Sequence, residues 1–360
     1  MRTRTRQLVA ALVAGLMAMS LAACGGDDAA DTDSFTVGVL LPSRSVPRWE
    51  GSDKPLIEQS LKELCPGCTM EYVNAENDAA RQREQLTSMI TKGVEVLILD
   101  AADTRAVRSS IQEARKADVP VVAYDRLAEG PISGYVTVDG AQVGRLQGEA
   151  LLKAMGDRAN GEDIVMLNGD PTSPNAAWYK RGALSVVRGK VTISRSYDVL
   201  GWNKDNAHTN MSAAIAALGP DRIDGVLAVN DSIAAGAIAA FKSAGVRKLP
   251  PITGQDADIE AVRRIIRGEQ YMTVYKPFAA EADAAAAMAV ALARGEALDE
   301  VATTSTDSPT TEDIPSVLLT PSAVTVDNIE QTLVKDGVYT VDQICTPELR
   351  RLCEKAGLTP

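Results

Sequence analysis

Histidine is nearly absent from this sequence, and so are the short motifs of several common enzyme classes. His208 is the single histidine, so a Ser-His-Asp or Cys-His arrangement would have to use it. It lies in a predicted helix between Ala207 and Thr209, without a nucleophile nearby. No HExxH motif, no P-loop and no GxGxxG after a strand is present. These absences argue against an enzyme, although the many carboxylates leave a glycoside-processing carboxylate pair as an alternative.

Basic residues are too few to balance the acidic ones. The chain has 37 Lys and Arg against 48 Asp and Glu, which gives a formal net charge of −11. Arg2, Arg4 and Arg6 fall in an N-terminal leader that contains no acid, so the rest of the chain is more acidic still. No basic run offsets this charge. Nucleic acid and anionic lipid surfaces are therefore not expected as partners.

The sequence of the first 34 residues predicts the cellular location of the protein. The three arginines precede an apolar stretch, residues 8–23, which is short for a membrane span. Leu21-Ala22-Ala23-Cys24 then reads as a lipobox, so we expect residues 1–23 to be a lipoprotein signal peptide and Cys24 to be lipidated. An ordinary signal peptide or a signal anchor is the alternative. The polar, acidic residues 24–34 predict a flexible tether to the extracytoplasmic face of the cell membrane.

Cysteine is also scarce. Besides Cys24 there are two close pairs, Cys65 with Cys68 and Cys345 with Cys353. Outside the cytoplasm an even number of cysteines indicates disulfides. Four cysteines allow three pairings; we favour the two local pairs, and the connectivity stays open. A redox CxxC lacks a thioredoxin-like context here, and a four-cysteine zinc site does not suit a secreted protein.

From Phe35 onward, apolar strand patterns alternate with helical ones, which predicts an α/β fold with parallel sheets. The pattern restarts after Val138, so we expect two similar lobes. Ligands of such proteins bind beyond the carboxyl ends of the strands. Polar residues cluster at those positions, and their side chains can bind hydroxyl groups. The clusters are Asp125-Arg126, Asn230-Asp231, Gln255-Asp256 and Lys276.

Aromatic residues make up only 4% of the chain, including three tryptophans. Trp49 and Trp202 stand in polar surroundings, which favours a place in the cleft over the core; Trp178 is the third. An indole face suits the C–H face of a sugar ring.

Several short motifs, taken together and in order, carry a family resemblance. They are Arg48-Trp49, Tyr124-Asp125-Arg126, Asn175-Ala176 after a Gly-Asp-Pro turn, Gly201-Trp202, Asn230-Asp231, Gly254-Gln255-Asp256-Ala257-Asp258 and Thr273-Val274-Tyr275-Lys276-Pro277. From about Phe35 to Tyr339 the chain resembles the periplasmic D-xylose-binding proteins of ABC sugar importers and the related multiple-sugar-binding receptors. The resemblance implies a type I periplasmic-binding-protein fold, in which two Rossmann-like lobes are joined by a three-segment hinge.

The resemblance also implies a ligand set and lobe boundaries. The implied sugar ligands are Arg48, Asp125, Arg126, Asn175, Asn230, Asp256 and Lys276, with Trp49 and Trp202 as stacking surfaces. Crossovers between lobes are expected near Asp139, Pro277 and Pro315. The first lobe would then comprise residues 35–138 and 278–314, and the second residues 139–277 and 315–342. Residues 343–360 would form a disulfide-stapled tail.

Two departures from the family pattern affect the expected ligand. Ser173 stands where xylose-binding relatives commonly have an acid, and the loop Pro42–Pro47 looks more like that of the multiple-sugar receptors. D-xylose leads the expected ligands, followed by glucose, galactose and arabinose. We expect a monomeric protein that delivers a monosaccharide to an ABC permease, without catalysis, cofactor or metal. A sensory protein that presents its sugar-bound form to a chemoreceptor is the alternative.

Overall fold

The computed structural model describes residues 34–359. The predicted signal peptide, Cys24 and all of the predicted tether except Ser34 lie outside the described residues. Within residues 34–359, no helix is long and apolar enough to cross a membrane.

Strands and helices alternate along most of the chain. The strands are β1 Thr36–Leu41, β2 Thr69–Asn74, β3 Val96–Leu99, β4 Val121–Tyr124, β5 Gly134–Val138, β6 Asp163–Asn168, β7 Thr192–Asp198, β8 Gly225–Ala228, β9 Met272–Tyr275, β10 Thr304–Thr306, β11 Ile314–Leu319 and β12 Ser322–Thr325. The helices are α1 Lys54–Leu64, α2 Ala79–Lys92, α3 Arg108–Lys116, α4 Gly140–Met155, α5 Pro174–Val187, α6 Lys204–Leu218, α7 Asp231–Ser243, α8 Ile259–Ile266, α9 Phe278–Ala293, α10 Val341–Ile344 and α11 Arg350–Lys355.

The first lobe is built on a seven-stranded sheet in the order β10-β11-β5-β4-β3-β1-β2. Every pairing in it is parallel except that of β10 with β11. Strands β3, β4 and β5 are buried along their whole length, as expected of strands covered on both faces. Helix α9 packs across these strands and against α1, while α2 packs against α3.

The second lobe has a smaller and divided sheet. Strands β7, β6 and β8 pair in parallel, whereas β9 pairs only with β12, in antiparallel register. An isolated parallel β-bridge joins Val226 of β8 to Ile252. Helices α4 to α8 surround these strands. The predicted α/β architecture with two lobes is confirmed, with the second sheet less regular than the first.

The chain passes between the lobes three times. The first crossing, at Asp139, joins β5 to α4; the second, at residues 276–277, joins β9 to α9; and the third, at residues 320–321, joins β11 to β12. The third boundary corrects the sequence analysis, which assigned residues from Pro315 onward to the second lobe. Pro315 lies within β11, which pairs in parallel with β5 of the first sheet, so residues 315–319 belong to the first lobe.

Two glycines allow the helices behind the cleft to pack closely. A Cβ at Gly144 of α4 would lie 2.0 Å from the carbonyl oxygen of Tyr179, and one at Gly182 of α5 would lie 2.1 Å from that of Ala141. Helices α4 and α5 are therefore in backbone contact. This contact fixes α5, which carries Asn175 and Tyr179 on its first turns.

The C-terminal residues do not form a separate tail. Tyr275, Phe278, Ile329, Ile344 and Leu349 belong to one buried apolar cluster, which joins the last residues to α8 and to the second crossing. Disulfides join Cys65 to Cys68 and Cys345 to Cys353. The second disulfide staples this C-terminal segment, and the first closes a turn after α1.

Candidate functional site

A small cavity lies between the carboxyl ends of the two sets of strands. Its lining comes from both lobes and from the second crossing. The lining residues are Val46, Trp49, Asp125, Arg126, Asn175, Tyr179, Trp202, Asn230, Gln255, Asp256 and Lys276. Eight of the nine residues predicted as sugar ligands are among them. The exception is Arg48.

Asp125 follows β4 directly, in a left-handed backbone conformation with φ of 54°. Aspartate tolerates this region better than most residues. Its amide donates to the Val136 carbonyl (2.8 Å), and its own carbonyl accepts from the hydroxyls of Tyr135 (3.0 Å) and Thr137 (2.8 Å). The backbone of Asp125 is thus held on both sides by hydrogen bonds to residues of β5.

The Asp125 carboxylate joins the two lobes. Asn175 of α5 donates to Oδ1 (2.8 Å), and Lys276 of the second crossing donates to Oδ2 (2.8 Å). Arg48 of the first lobe also donates to Oδ2 (3.0 Å). Burial acts to raise the pKa of Asp125, but Lys276 and Arg48 outweigh it and lower the pKa to about 2. Asp125 is therefore an anion at neutral pH, with its charge balanced inside the protein.

Arg48 lies one layer behind the cavity instead of in its wall. Its guanidinium lies 4.3 Å from the ring centre of Trp49. Its donors are used by Asp125, by Asp53 (Nε to Oδ2, 2.8 Å) and by Glu281 of α9 (Nη2 to Oε2, 3.0 Å). These bonds orient Arg48 toward carboxylates of its own chain, so the prediction of a direct ligand contact does not match its position.

Asp53 and Glu281 were not predicted as site residues, yet both are fully buried beside Arg48. Asp53 also accepts a hydrogen bond from the Tyr124 hydroxyl. Burial raises the pKa of Glu281 to about 8, against the opposing effect of Arg48. Glu281 therefore carries a proton at neutral pH.

Arg126 approaches the cavity between two indole rings. Its guanidinium carbon lies 5.8 Å from the ring centre of Trp49 and 5.9 Å from that of Trp202. One side of the group is fixed by a bond to the Ala101 carbonyl (2.9 Å), and the Asp100 carboxylate lies 3.5 Å away. Arg126 is only 3% exposed and is part of the cavity lining.

The tryptophans are held in place by their neighbours. A Cβ at Gly169 would lie 2.0 Å from the Trp202 ring, so only glycine leaves room for the indole there. Tyr179 meets Trp202 edge to face, with 6.3 Å between ring centres. Tyr179 was not predicted because it lies on the second turn of α5, away from any strand end.

Besides Asn175 and Tyr179 of α5, the second lobe contributes three more polar residues. Asn230 caps α7, its side chain accepting from the Ile233 amide (2.9 Å), and its Nδ2 lies 3.5 Å from Asp256. Asp256 lies 3.2 Å from Lys276 and accepts from Gln255 (3.1 Å). Gln255 was predicted as part of a polar strand end but not as a site residue. The signal that could have identified Gln255 was its neighbour Asp256, which was predicted as a site residue.

The cavity wall contains unused hydrogen-bonding groups of both kinds. On the lining residues, four buried side-chain atoms have no hydrogen-bond partner among residues 34–359: Trp49 Nε1, Trp202 Nε1, Asn175 Oδ1 and Gln255 Oε1. Two are donors and two are acceptors. Buried polar groups normally find partners, so this wall suits a ligand that can both donate and accept, between two aromatic surfaces. His208 is not part of the lining.

A family model described as a periplasmic binding protein domain matches residues 37–297. The chain belongs to this family. The resemblance noted from the motifs is confirmed, and so is the fold that it implied.

Two relatives and one solved structure illustrate the match. The chain is 32% identical over 317 residues to the D-xylose-binding periplasmic protein of Escherichia coli K12, covering 86% of this chain and 93% of that one. It is also 32% identical over 332 residues to a multiple sugar-binding periplasmic receptor of Rhizobium radiobacter, covering 87% and 93%. An ABC transporter solute-binding protein from Clostridium phytofermentans with bound β-D-glucose superposes with a TM-score of 0.79 and 28% identity, covering 86% and 99%. These relatives are binding proteins.

Proposed function

We propose that the protein is the solute-binding component of an ABC sugar importer and that it captures a neutral monosaccharide, D-xylose first, between its lobes. The observation that carries this proposal is the cavity wall, in which two indoles and unused donors and acceptors face the same small space. A pyranose has apolar C–H faces and a rim of hydroxyls that both donate and accept. Its chemistry matches that of such a wall.

The charges around the cavity favour an uncharged ligand. Asp125 is paired with Lys276 and Arg48, and Asp256 lies 3.2 Å from Lys276. A ligand carboxylate would have to be buried beside two carboxylates whose countercharges are already engaged, which is costly. Sugar hydroxyls can instead share these groups, because each carboxylate oxygen accepts more than one hydrogen bond.

The proposed direct contacts are the eight predicted residues in the lining, together with Tyr179 and Gln255. They are Trp49, Asp125, Arg126, Asn175, Trp202, Asn230, Asp256 and Lys276. Arg48 is assigned a different role, that of holding Asp125 and Trp49 from behind. Closure around the sugar removes water, which strengthens each hydrogen bond to the hydroxyls.

D-xylose leads because a D-xylose-binding protein and a multiple sugar-binding receptor match over most of the chain. Glucose follows, since the solved structure with TM-score 0.79 contains it. Galactose and arabinose are further candidates. Anchoring through Cys24, a monomeric state and delivery to a permease complete the proposal. A chemoreceptor-linked sensory role uses the same cleft; loss of sugar uptake on gene deletion would favour transport over it.

The test is calorimetry of residues 24–360 with a panel of pentoses and hexoses, after a thermal-shift screen. A bound sugar raises the melting temperature by an amount that grows with the logarithm of its concentration relative to Kd. We expect micromolar or tighter binding of one aldopentose or aldohexose and none of its uronic acid. Asp125→Asn should abolish the shift, whereas Asp163→Asn, at the far end of β6, should not. No response to any sugar would overturn the proposal.

A further inference from the structure

The turn that carries Asp256 into the cleft has an unfavourable backbone. Asp256 has φ of 93° and Ala257 has φ of 50°, two successive positive values without a glycine. Such conformations cost energy and persist only where the surrounding structure holds them. The side chains that hold this turn therefore determine where the Asp256 carboxylate lies.

Asp231 is the centre of that support. Its Oδ2 accepts from the Asp258 amide (3.1 Å) and from the Thr273 hydroxyl (2.9 Å), and its Oδ1 accepts from Gln270 Nε2 (2.7 Å). Its own amide donates to the Gln255 carbonyl (2.9 Å). Asp231 thus binds the turn on both sides of Asp256.

Two further contacts complete the support. The Ala257 amide donates to the Thr273 hydroxyl (3.1 Å), which in turn donates to Asp231. The Ala257 carbonyl accepts from the hydroxyl of Tyr339, in the C-terminal segment (3.2 Å). A Cβ at Gly254 would lie 2.1 Å from Asp231 Oδ1, so glycine is needed there for the pair with Gln270.

Asp231 does not line the cavity, although its neighbour Asn230 does. As the first residue of α7 it is 1% exposed and directed to the turn. We propose that Asp231 is a positioning residue: it fixes Asp256 in the cleft and so sets the affinity and the epimer preference for sugar. This inference rests on the proposed sugar-binding function.

The experiment is a double-mutant cycle measured by calorimetry with the best sugar of the panel. Asp231→Asn should weaken binding about tenfold, on the order of the worth of one well-placed hydrogen bond. Asp256→Asn should weaken it at least as much. The double variant should bind no more weakly than Asp256→Asn alone, because Asp231 acts through Asp256.

The matched comparison uses the opposite wall. Asp231→Asn combined with Arg126→Ala should show additive losses, since Arg126 lies in the other lobe and shares no partner with Asp231. A general loss of folding would lower the sugar affinity in both mutant cycles alike. It would therefore produce no difference between the cycle with Asp256 and the cycle with Arg126. Asp231→Asn should also change the ratio of affinities for two epimers in the same direction as Asp256→Asn.

Tyr339→Phe provides a milder variant should Asp231→Asn fail to fold. It removes the hydroxyl, which donates to the Ala257 carbonyl and accepts from the Ile259 amide, and we expect about threefold weaker binding, again without further loss when Asp256→Asn is added. Tyr197→Phe, on β7 and outside the cavity lining, is the matched control. Unchanged affinity in both Asp231→Asn and Tyr339→Phe, or additive losses with Asp256→Asn, would overturn the positioning role while sugar binding by the wild type stands. A wild type that binds no sugar would overturn both proposals.

Discussion

Asp125 at the end of β4 and Lys276 on the second crossing form a buried ion pair, with 2.8 Å between Oδ2 and Nζ. Both side chains are less than a twentieth exposed. Burial and Arg48 act to lower the pKa of Lys276, but Asp125 and Asp256 raise it above its ordinary value. The pair therefore links the first lobe to the crossing segment with both groups charged.

Removing both partners should cost less stability than the sum of the two single losses. Asp125→Asn or Lys276→Met alone leaves a buried charge with less compensation, which typically costs about 3 kcal/mol. The double variant should be more stable than the sum of the two losses predicts, by about 2 kcal/mol. Urea unfolding of the four proteins measures this coupling. Strictly additive losses would mean that the pair contributes nothing specific to the folded state.

Arg126→Ala should weaken sugar binding by about 2–3 kcal/mol, through loss of charge-assisted hydrogen bonds between the two indoles. Calorimetry with the preferred sugar measures this loss. Arg126→Lys keeps the positive charge but lacks the planar guanidinium group, so it should retain only part of the wild-type affinity. The matched control is Arg105→Ala, since Arg105 is exposed and pairs with Glu129 outside the cavity. Full affinity in Arg126→Ala would remove Arg126 from the proposed contacts.

Much of the cleft could be predicted because parallel strands bring their carboxyl ends to one edge. Asp125, Arg126, Asn230 and Asp256 each follow a strand or a short extended segment, and all four line the cavity. The lobe architecture followed from the alternating pattern. The third crossing was misplaced because the partner of β11 is β5, nearly 180 residues earlier, and sequence periodicity contains no information on pairing partners.

Other parts of the site depend on side-chain direction. Asn230 and Asp231 are adjacent and equally polar, yet one faces the cleft and the other the turn behind it, because α7 begins between them. Tyr179 and Glu281 lie inside helices, where the polarity of a residue alone does not predict the direction in which its side chain points. One signal was available for Glu281: it is an acid on the first turns of an otherwise Ala-rich, buried helix.

Gly169→Ala should impair the cleft without replacing a proposed ligand residue. A Cβ there would lie 2.0 Å from the Trp202 ring, so the indole would have to move. We expect sugar affinity to fall at least tenfold and the tryptophan emission spectrum to change. Gly51→Ala, where no atom lies within 4 Å of the added Cβ, should leave both unchanged. Normal affinity in Gly169→Ala would show that the position of Trp202 is not critical.

Glu281 should make the protein less stable as the pH rises. Burial raises its pKa to about 8 from an ordinary value of 4.5, so between these values the folded protein keeps a proton that the unfolded chain releases. Stability falls wherever the folded state binds more protons. The contribution of Glu281 is therefore fully present below about pH 4.5, declines as the pH rises, and is exhausted above about pH 8.

Glu281→Gln imitates the protonated acid at every pH, so it should remove this decline. The stability of the variant relative to the wild type should increase steadily from pH 5 to pH 8, as measured by urea unfolding at fixed ionic strength. Asp283→Asn, at an exposed neighbour on α9 that accepts from Ser60, is the control, and it should leave the decline due to Glu281 in place. A stability difference between Glu281→Gln and the wild type that is independent of pH would mean that Glu281 is ionised in the folded protein. Arg48 would then carry three carboxylate partners, and the charge balance behind Trp49 would be net negative.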